Sequence, residues 1–287
     1  MAGRRWTATP VLVVGVNRSG TKWLSNEIAA HPGIASVQAE IHGGIVESNL
    51  LTEYGRGFDL TSDSEYQRFL EFWQRTHFFH LARGDVHGFG SLERRPANSV
   101  EAFRILMEAH ATRQGVGFWV QKVAPRDADA ALDTLPDARV VVIKRSDIDT
   151  VRSKIRLDAE RGIRTSPLWG GMSQGVQTRK LDRILTRHNA MLVRYESLLS
   201  ERSKTMNDVF RFIGLEPADV SSDFAPNTSF ASIGDRSLTL GKYGEAGVRA
   251  AVGLCRVLPL TLLESIQRVF TRGRVEIVPG TFRHEEA

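Results

Sequence analysis

The chain has a single cysteine, Cys255, among its 287 residues. One cysteine forms no internal disulfide, and it excludes metal or redox sites of the Cys-x-x-Cys type. Long apolar runs are also missing, since the run VLVVGV (11–16) is far too short to span a bilayer. The N-terminal stretch MAGRRWTATP is too short and too polar for a secretory signal. These absences predict a cytoplasmic protein.

The chain also lacks an internal repeat, a low-complexity tract or a composition break that would mark a linker. We therefore expect one domain over residues 1–287. Lys and Arg outnumber Asp and Glu by 38 to 33, which gives a formal net charge of +5. This balance favours an anionic partner, but the basic residues are scattered rather than arranged as one stripe. A small polyanionic molecule is therefore favoured over nucleic acid.

Strand-like and helix-like segments alternate along the chain. Apolar runs rich in β-branched residues are typical of buried parallel strands, whereas helical segments show apolar residues at a spacing of three or four. The pattern predicts an α/β fold, a three-layer sandwich around a central parallel sheet with right-handed crossovers. The predicted strands are 11–16, 34–39, 117–124, 138–145 and 190–196, and the predicted helices are 21–31, 98–113, 126–135, 147–160 and 177–188.

Two segments do not fit this alternation and are predicted to be irregular. Residues 42–95 are rich in aromatic side chains, and residues 156–180 form a glycine-containing stretch around Trp169. Long irregular loops in a compact domain are often lids or binding loops. Both segments are therefore candidates for an acceptor-binding site or a lid. The alternative for the aromatic residues is that they bury helices against the sheet.

The stretch GVNRSGTKW (15–23) follows the first predicted strand and has the glycine spacing of a nucleotide phosphate loop. In the kinase form of that loop, Lys precedes a Ser or Thr that binds Mg²⁺. Here Thr21 precedes Lys22, and Arg18 stands inside the loop. A glycine-rich turn before a helix still binds phosphate through backbone N–H groups. Arg18 and Lys22 can neutralise that phosphate directly, so the order predicts a P-loop-like site that needs no metal.

Two blocks of the sequence resemble the signature blocks of the sulfotransferases that use 3′-phosphoadenosine-5′-phosphosulfate (PAPS). The block RSGTKWLSNEIAAHP (18–32) is similar to that family's RSGTTWL loop, which is followed by a helix and His-Pro. The block VVVIKRSDIDTVRSK (140–154) has the family's Arg at a strand end, Asp four positions on and Ser eight positions on: Arg145, Asp149 and Ser153. Smaller similarities in the same order, QKVAP, VRYESLL and FIGLEP among them, extend the resemblance over roughly residues 11–217.

The sequence departs from the family pattern at two places. Lys22 replaces the usual second Thr of the loop, and Ser146-Asp147 replaces the Asp-Pro that commonly follows the Arg. The resemblance implies a P-loop-like nucleotide-binding fold, PAPS as donor, PAP as product and no metal. It further implies that Arg18, Ser19, Gly20, Thr21 and Lys22 bind the 5′-phosphosulfate, with Arg18 and Lys22 also serving catalysis.

The resemblance assigns further residues to the nucleotide. Arg145 and Ser153 would bind the 3′-phosphate, although Arg145 could instead form a surface ion pair with Asp149. Trp23 and Tyr195 would contact adenine, and core packing is an equally good account of both. In the C-terminal part, Arg236 and Lys242 fall where the family has a loop that closes over the 3′-phosphate.

Sulfuryl transfer to an alcohol needs a base that accepts the hydroxyl proton. Glu40 follows the second predicted strand, near the place where part of the family carries a catalytic Glu, and is the first candidate. His42 is the second, and it would point to the same side if the strand continued. The alternative is that both are solvated surface residues. His77 and His80, spaced as i and i+3, could resemble metal ligands, but a metal site is not expected.

The predicted reaction transfers a sulfuryl group from PAPS to a hydroxyl of a small-molecule, glycolipid or carbohydrate acceptor. The basic amphipathic pattern after residue 248 is expected to pack on the core, with contact to an anionic membrane surface as the alternative. Two other functions stay open at this point. One is a non-catalytic protein that binds PAP or an adenine nucleotide, and the other is a P-loop kinase.

Overall fold

The computed structural model describes residues 6–82, 95–222 and 240–271. Five parallel strands form its central sheet in the order β2-β5-β1-β6-β7. These strands are β1 (Thr9–Gly15), β2 (Ile34–Ala35), β5 (Phe118–Val123), β6 (Arg139–Lys144) and β7 (Ala190–Arg194). A separate antiparallel hairpin pairs β3 (Gln38–Ala39) with β4 (Gly44–Ile45). The α/β fold with a central parallel sheet is confirmed.

Helices cover both faces of the sheet. The first half of the chain contributes α1 (Thr21–Ala29), α2 (Glu53–Arg56), α3 (Asp63–Gln74), α4 (His77–Leu81), α5 (Ser99–Gln114) and α6 (Pro125–Thr134). The second half contributes α7 (Asp147–Glu160), α8 (Pro167–Arg187), α9 (Tyr195–Ser200), α10 (Arg202–Ile213), α11 (Gly241–Val257) and α12 (Leu260–Thr271). Short 3₁₀ turns lie at Glu40–His42 and Asn49–Leu51. Across the described ranges, no helix is both long and apolar enough to cross a membrane.

Strand β1 shows how the apolar runs build three layers. Successive side chains of a strand point to opposite faces of the sheet. Leu12 and Val14 accordingly pack with the helices of one face, while Val11 and Val13 pack with α1 and α10 on the other. All four side chains are fully buried. This two-sided burial explains why the strand reads as a continuous apolar run and not as an alternating one.

The predicted strand over 34–39 is wrong in its extent. Only Ile34 and Ala35 pair with β5, and the chain then leaves the sheet. The carbonyl of Ser36 accepts a hydrogen bond from His110 of α5, and the carbonyl of Val37 accepts one from the Val46 N–H. These partners lie outside the sheet, so the backbone turns towards the β3–β4 hairpin.

The prediction that the aromatic part of 42–95 is irregular is also wrong, because α2, α3 and α4 occupy most of its described residues. Phe69 and Trp73 of α3 are fully buried, and Phe78 of α4 packs on Phe103 of α5. The alternative interpretation, that these aromatics bury helices against the sheet, is therefore confirmed for this cluster. Residues 83–94 lie outside the described residues.

The segment 156–180 is mostly helical, with only a short connection at 161–166. Helix α7 continues to Glu160, and α8 begins at Pro167 after Ser166, whose side chain accepts a hydrogen bond from the Trp169 N–H. The glycines of α8 allow α11 to approach. A Cβ on Gly175 would lie 2.6 Å from Cβ of the buried Cys255. Glycine here serves close helix packing, which the sequence pattern could not distinguish from a loop.

Candidate active site

The loop between β1 and α1 lies at the carboxyl end of a central strand. Arg18 and Gly20 both have a positive φ, 76° and 96°. The Ser19 hydroxyl donates to the Val16 carbonyl at 2.7 Å, and the Ser19 N–H donates to the same oxygen at 3.0 Å. These bonds close a tight turn that brings the chain directly into α1.

This turn presents the amino end of α1. The Leu24 N–H donates to the Gly20 carbonyl at 3.0 Å, so the N–H groups of Thr21, Lys22 and Trp23 precede the first hydrogen bond of the helix. Such groups carry the positive end of the helix dipole. An anion at this position therefore meets oriented N–H groups as well as the side chains of Arg18 and Lys22.

The two signature blocks meet at Arg18. Its Nε donates to the Ser153 hydroxyl of α7 at 3.0 Å, and its carbonyl accepts from Arg145 Nη1 at 3.3 Å. Burial and then the charge of Arg145 lower the pKa of Arg18 below its ordinary value. The positive charges of Arg18 and Arg145 at this loop favour an anionic ligand there. Asp149, which the alternative interpretation paired with Arg145, forms an ion pair with Arg152 at 2.8 Å.

Trp23 and Tyr195 form an aromatic wall beside this loop. Their rings meet edge to face with centroids 5.7 Å apart, and Arg145 lies 4.5 Å above the Tyr195 ring. A Cβ on Gly20 would lie 2.5 Å from Cδ2 of Tyr195, so the loop itself touches this ring. Trp23 is 5% exposed within the apolar cluster of α1 and α10, so core packing accounts for most of its surface.

Lys22 connects the loop to the β3–β4 hairpin. Its Nζ donates to the His42 carbonyl at 2.7 Å. Asn26, one helical turn further along α1, holds the same hairpin, because its Nδ2 donates to the Gly43 carbonyl and its Oδ1 accepts from the Ile45 N–H. Sequence reasoning missed Asn26, although its spacing of four from Lys22 places both on one helix face.

A second lysine lies at the same edge of the sheet. Lys122, near the end of β5, pairs with Glu47, and its charge helps to lower the pKa of Lys22, although burial has the larger effect. Lys122 falls in the QKVAP stretch of the sequence, but no role was predicted for it. The edge thus combines Arg18, Lys22 and Lys122, which makes it strongly attractive to an anion.

The strand does not continue through Glu40 and His42, contrary to the geometry expected for them. Ala39 ends β3, and a 3₁₀ turn places Glu40 in an exposed position and His42 in a half-buried one. His42 Nε2 shares a hydrogen bond of 3.0 Å with His77 Nδ1. Burial, then the charges of His77 and Lys22, lower the pKa of His42, which favours its neutral form near pH 7.

The remaining predicted residues lie towards the C-terminus. Lys242 is exposed in the first turn of α11, and Glu245, three residues further along the helix, pairs with Arg152 of α7 at 3.0 Å. This pair brings the start of α11 close to Ser153. Arg236 lies outside the described residues. Among the residues of the three described ranges, no group of three or more His, Cys, Asp or Glu side chains could hold a metal.

Comparison with known proteins agrees with this architecture. The sulfotransferase domain from the curacin biosynthetic pathway superposes with a TM-score of 0.51 at 14% identity, over 75% of this chain and 77% of that domain. The sulfotransferase domain from the Synechococcus PCC 7002 olefin synthase superposes with a TM-score of 0.50 at 15% identity, over 90% of this chain and 99% of that domain. Likeness at this identity shows the P-loop-like α/β fold.

No curated protein matches the sequence. A family model described as "Sulfotransferase family" matches residues 10–219, which include the β1–α1 loop, the hairpin, Arg145, Ser153 and Tyr195. This match favours the transferase hypothesis over the non-catalytic and kinase alternatives. The chain belongs to the sulfotransferase family.

Proposed function

We propose that this sulfotransferase uses PAPS as donor, transfers the sulfuryl group to a hydroxyl of a small-molecule, glycolipid or carbohydrate acceptor and releases PAP. One observation carries the donor assignment. Arg18 of the phosphate loop and Ser153 of α7 lie 135 residues apart in sequence and are joined by a hydrogen bond of 3.0 Å. A donor with phosphate groups at both its 5′ and 3′ positions would use both blocks at once.

The residues present fit such a donor. The amino end of α1, with Arg18 and Lys22, suits the 5′ end, and Arg145 with Ser153 suits a second phosphate close by. The aromatic wall of Trp23 and Tyr195 lies beside both groups, where an adenine base would find apolar contacts. When bound, PAPS supplies an activated sulfuryl group with PAP as its leaving group.

Lys22 is the group that we propose to stabilise charge on the leaving oxygen. Its Nζ donates to the His42 carbonyl, so its position is set before any ligand arrives. A preorganised cation aimed at developing negative charge is a large contribution to catalysis. Arg18 adds a second cation from the same loop. No step of this assignment requires a metal.

Glu40 and His42 are the two candidate bases, and the contacts favour His42. Its backbone is held by Lys22, and burial, the largest effect on its pKa, favours the neutral form that accepts a proton. Ile41 between the two candidates is 71% exposed. This side chain offers an apolar contact to an acceptor whose hydroxyl lies near His42, which supports an acceptor with an apolar portion.

The donor assignment is tested by calorimetric titration of PAP in EDTA and then in Mg²⁺, with ATP and ADP for comparison. We expect tight PAP binding that does not depend on Mg²⁺ and that exceeds ATP binding. Arg18→Ala should weaken PAP binding by about 10- to 100-fold, since hydrogen bonds to charged groups contribute about 1.5–3 kcal/mol. Arg75→Ala, at an exposed position after α3, is the matched control.

Two results would remove this proposal. One is ATP binding that requires Mg²⁺, and the other is PAP binding that Arg18→Ala and Arg75→Ala leave equally unchanged. If PAP binds as expected, acceptors are screened with labelled PAPS, and Glu40→Gln is compared with His42→Gln. The variant that loses turnover while it retains PAP affinity identifies the base.

A further inference from the structure

Glu27 of α1 is a buried carboxylate that the reaction as described does not use. It is 3% exposed, and both of its oxygens are engaged. Oε1 accepts from Trp23 Nε1 at 2.9 Å, and Oε2 accepts from Arg202 Nη2 at 2.5 Å. Burying a carboxylate is costly unless it is paired, and the contact with Arg202 offsets that cost.

The contact with Trp23 links this pair to the nucleotide-binding loop. Trp23 directly follows Lys22, and Glu27 lies one helical turn further along α1. The hydrogen bond selects one orientation of the indole, because only the edge that carries Nε1 can donate to Glu27. That orientation places the indole edge to face with Tyr195, at an interplanar angle of 74°.

Tyr195 connects Trp23 to Arg145 of the second signature block. Its ring lies between Trp23 and Arg145, and it also lies against Gly20 of the loop. A continuous set of contacts therefore runs from Arg202 through Glu27, Trp23 and Tyr195 to Arg145. Arg202 in turn donates to the Val220 carbonyl at 2.9 Å, so its own position is fixed by the chain that follows α10.

We propose that Glu27, held by Arg202, is a positioning residue of the donor site that sets the orientation of the Trp23 indole and, through it, the place of Tyr195 beneath Arg145. This inference rests on the proposed use of PAPS. Glu27 does not touch the nucleotide in this proposal, and its effect reaches the nucleotide only through the indole N–H. A residue that merely joined α1 to α10 would affect stability without depending on that N–H.

A double-mutant cycle tests the proposal, with PAP affinity measured for the wild type, Glu27→Gln, Trp23→Phe and the double variant. Gln cannot accept from both neighbours, since one of its two terminal groups is a donor. We expect Glu27→Gln to weaken PAP binding about 5- to 30-fold in the wild-type background. With Phe at position 23 there is no indole N–H, and the same substitution should change the affinity by less than about twofold.

The control is Asp137→Asn, which weakens an ion pair between α5 and the turn after α6, where the Asp137 side chain is 46% exposed. Arg104 of α5 donates to both oxygens of Asp137, at 2.7 and 2.5 Å, and Arg104 is as buried as Glu27. Asp137→Asn should lower the free energy of unfolding and leave PAP affinity unchanged. Arg202→Lys provides a second variant if Glu27→Gln does not fold, because it retains the charge while it changes the geometry. Arg202→Lys should also weaken PAP binding when position 23 is Trp, and it should have little effect when position 23 is Phe.

The outcomes distinguish a failure of the donor assignment from a failure of the inference about Glu27. If the wild type does not bind PAP, both the donor assignment and this inference fail. If the wild type binds PAP and Glu27→Gln binds it equally well, only the inference fails. It also fails if Glu27→Gln weakens binding to the same degree with Trp or Phe at position 23, or if Asp137→Asn weakens binding as much.

Discussion

Gly20 gives the sharpest test of the loop geometry. Its φ of 96° lies in the left-handed region, and an added Cβ would lie 2.5 Å from Cδ2 of Tyr195 and 2.8 Å from Cε2. Gly20→Ala therefore combines a strained backbone with a steric conflict at the aromatic wall. Gly214, after α10, has a φ of 100°, but an added Cβ there would lie 3.9 Å from Phe118, an ordinary contact.

Gly20→Ala and Gly214→Ala both place a side chain in the left-handed region, but only Gly20→Ala adds a steric conflict. A side chain in the left-handed region costs roughly 1–2 kcal/mol, which we expect as the whole loss of stability for Gly214→Ala. Relief of the 2.5 Å contact requires Tyr195 to move by about 1 Å, and overpacking of this kind costs typically 1–3 kcal/mol. Gly20→Ala should therefore lower the free energy of unfolding by about 2–5 kcal/mol.

The displacement should also reach the ligand. Tyr195 cannot move away from Gly20 without changing its contacts with Trp23 or Arg145. If the bound state requires the arrangement of Tyr195 and Arg145 seen here, restoring a cation–π contact of about 1–2 kcal/mol makes PAP binding about 5- to 30-fold weaker in Gly20→Ala. Gly214→Ala should bind PAP as the wild type does. Urea denaturation and calorimetry measure the two effects, and equal losses of stability with equal PAP affinities would refute the reasoning.

Two further predictions concern pH and helix packing. If His42 is the base, kcat/KM should be constant around pH 7 and fall only as the pH drops below 6.5, because burial and then His77 and Lys22 lower its pKa from that ordinary value. His42→Gln should remove this fall in kcat/KM at low pH and leave a rate about 10²- to 10⁴-fold lower, whereas a fall that persists in the variant would show that His42 is not the base. Gly175→Ala should destabilise the protein by about 1–3 kcal/mol, since its Cβ would meet Cβ of Cys255 at 2.6 Å. Gly253→Ala, on the open side of α11, should instead stabilise by up to about 1 kcal/mol in urea denaturation, and a destabilisation of similar size at both positions would contradict this packing.

The parts of the fold that depend on neighbours in sequence could be predicted. β-branched runs such as VLVVGV identify buried strands, and the Gly15–Thr21 spacing identifies the turn into α1. Glycine misled the prediction for 156–180, because the glycines of α8 serve contact with α11 and not a loop. Aromatic residues misled it for the described part of 42–95, where α3 and α4 use them as core. In both segments, burial against another element overrode the local preference of the residue type.

The candidate site shows the same difference between features set by local sequence and contacts set by tertiary packing. The sequence by itself determined that a strand, a glycine-rich loop and a helix follow one another around Arg18 and Lys22, because that arrangement depends on local backbone preferences. Only the tertiary structure decided that Arg18 bonds to Ser153, that Lys22 bonds to the carbonyl of His42, and that Glu27 pairs with Arg202 of α10. These contacts depend on the order of the strands and on the packing of distant helices, and no local pattern encodes either of them.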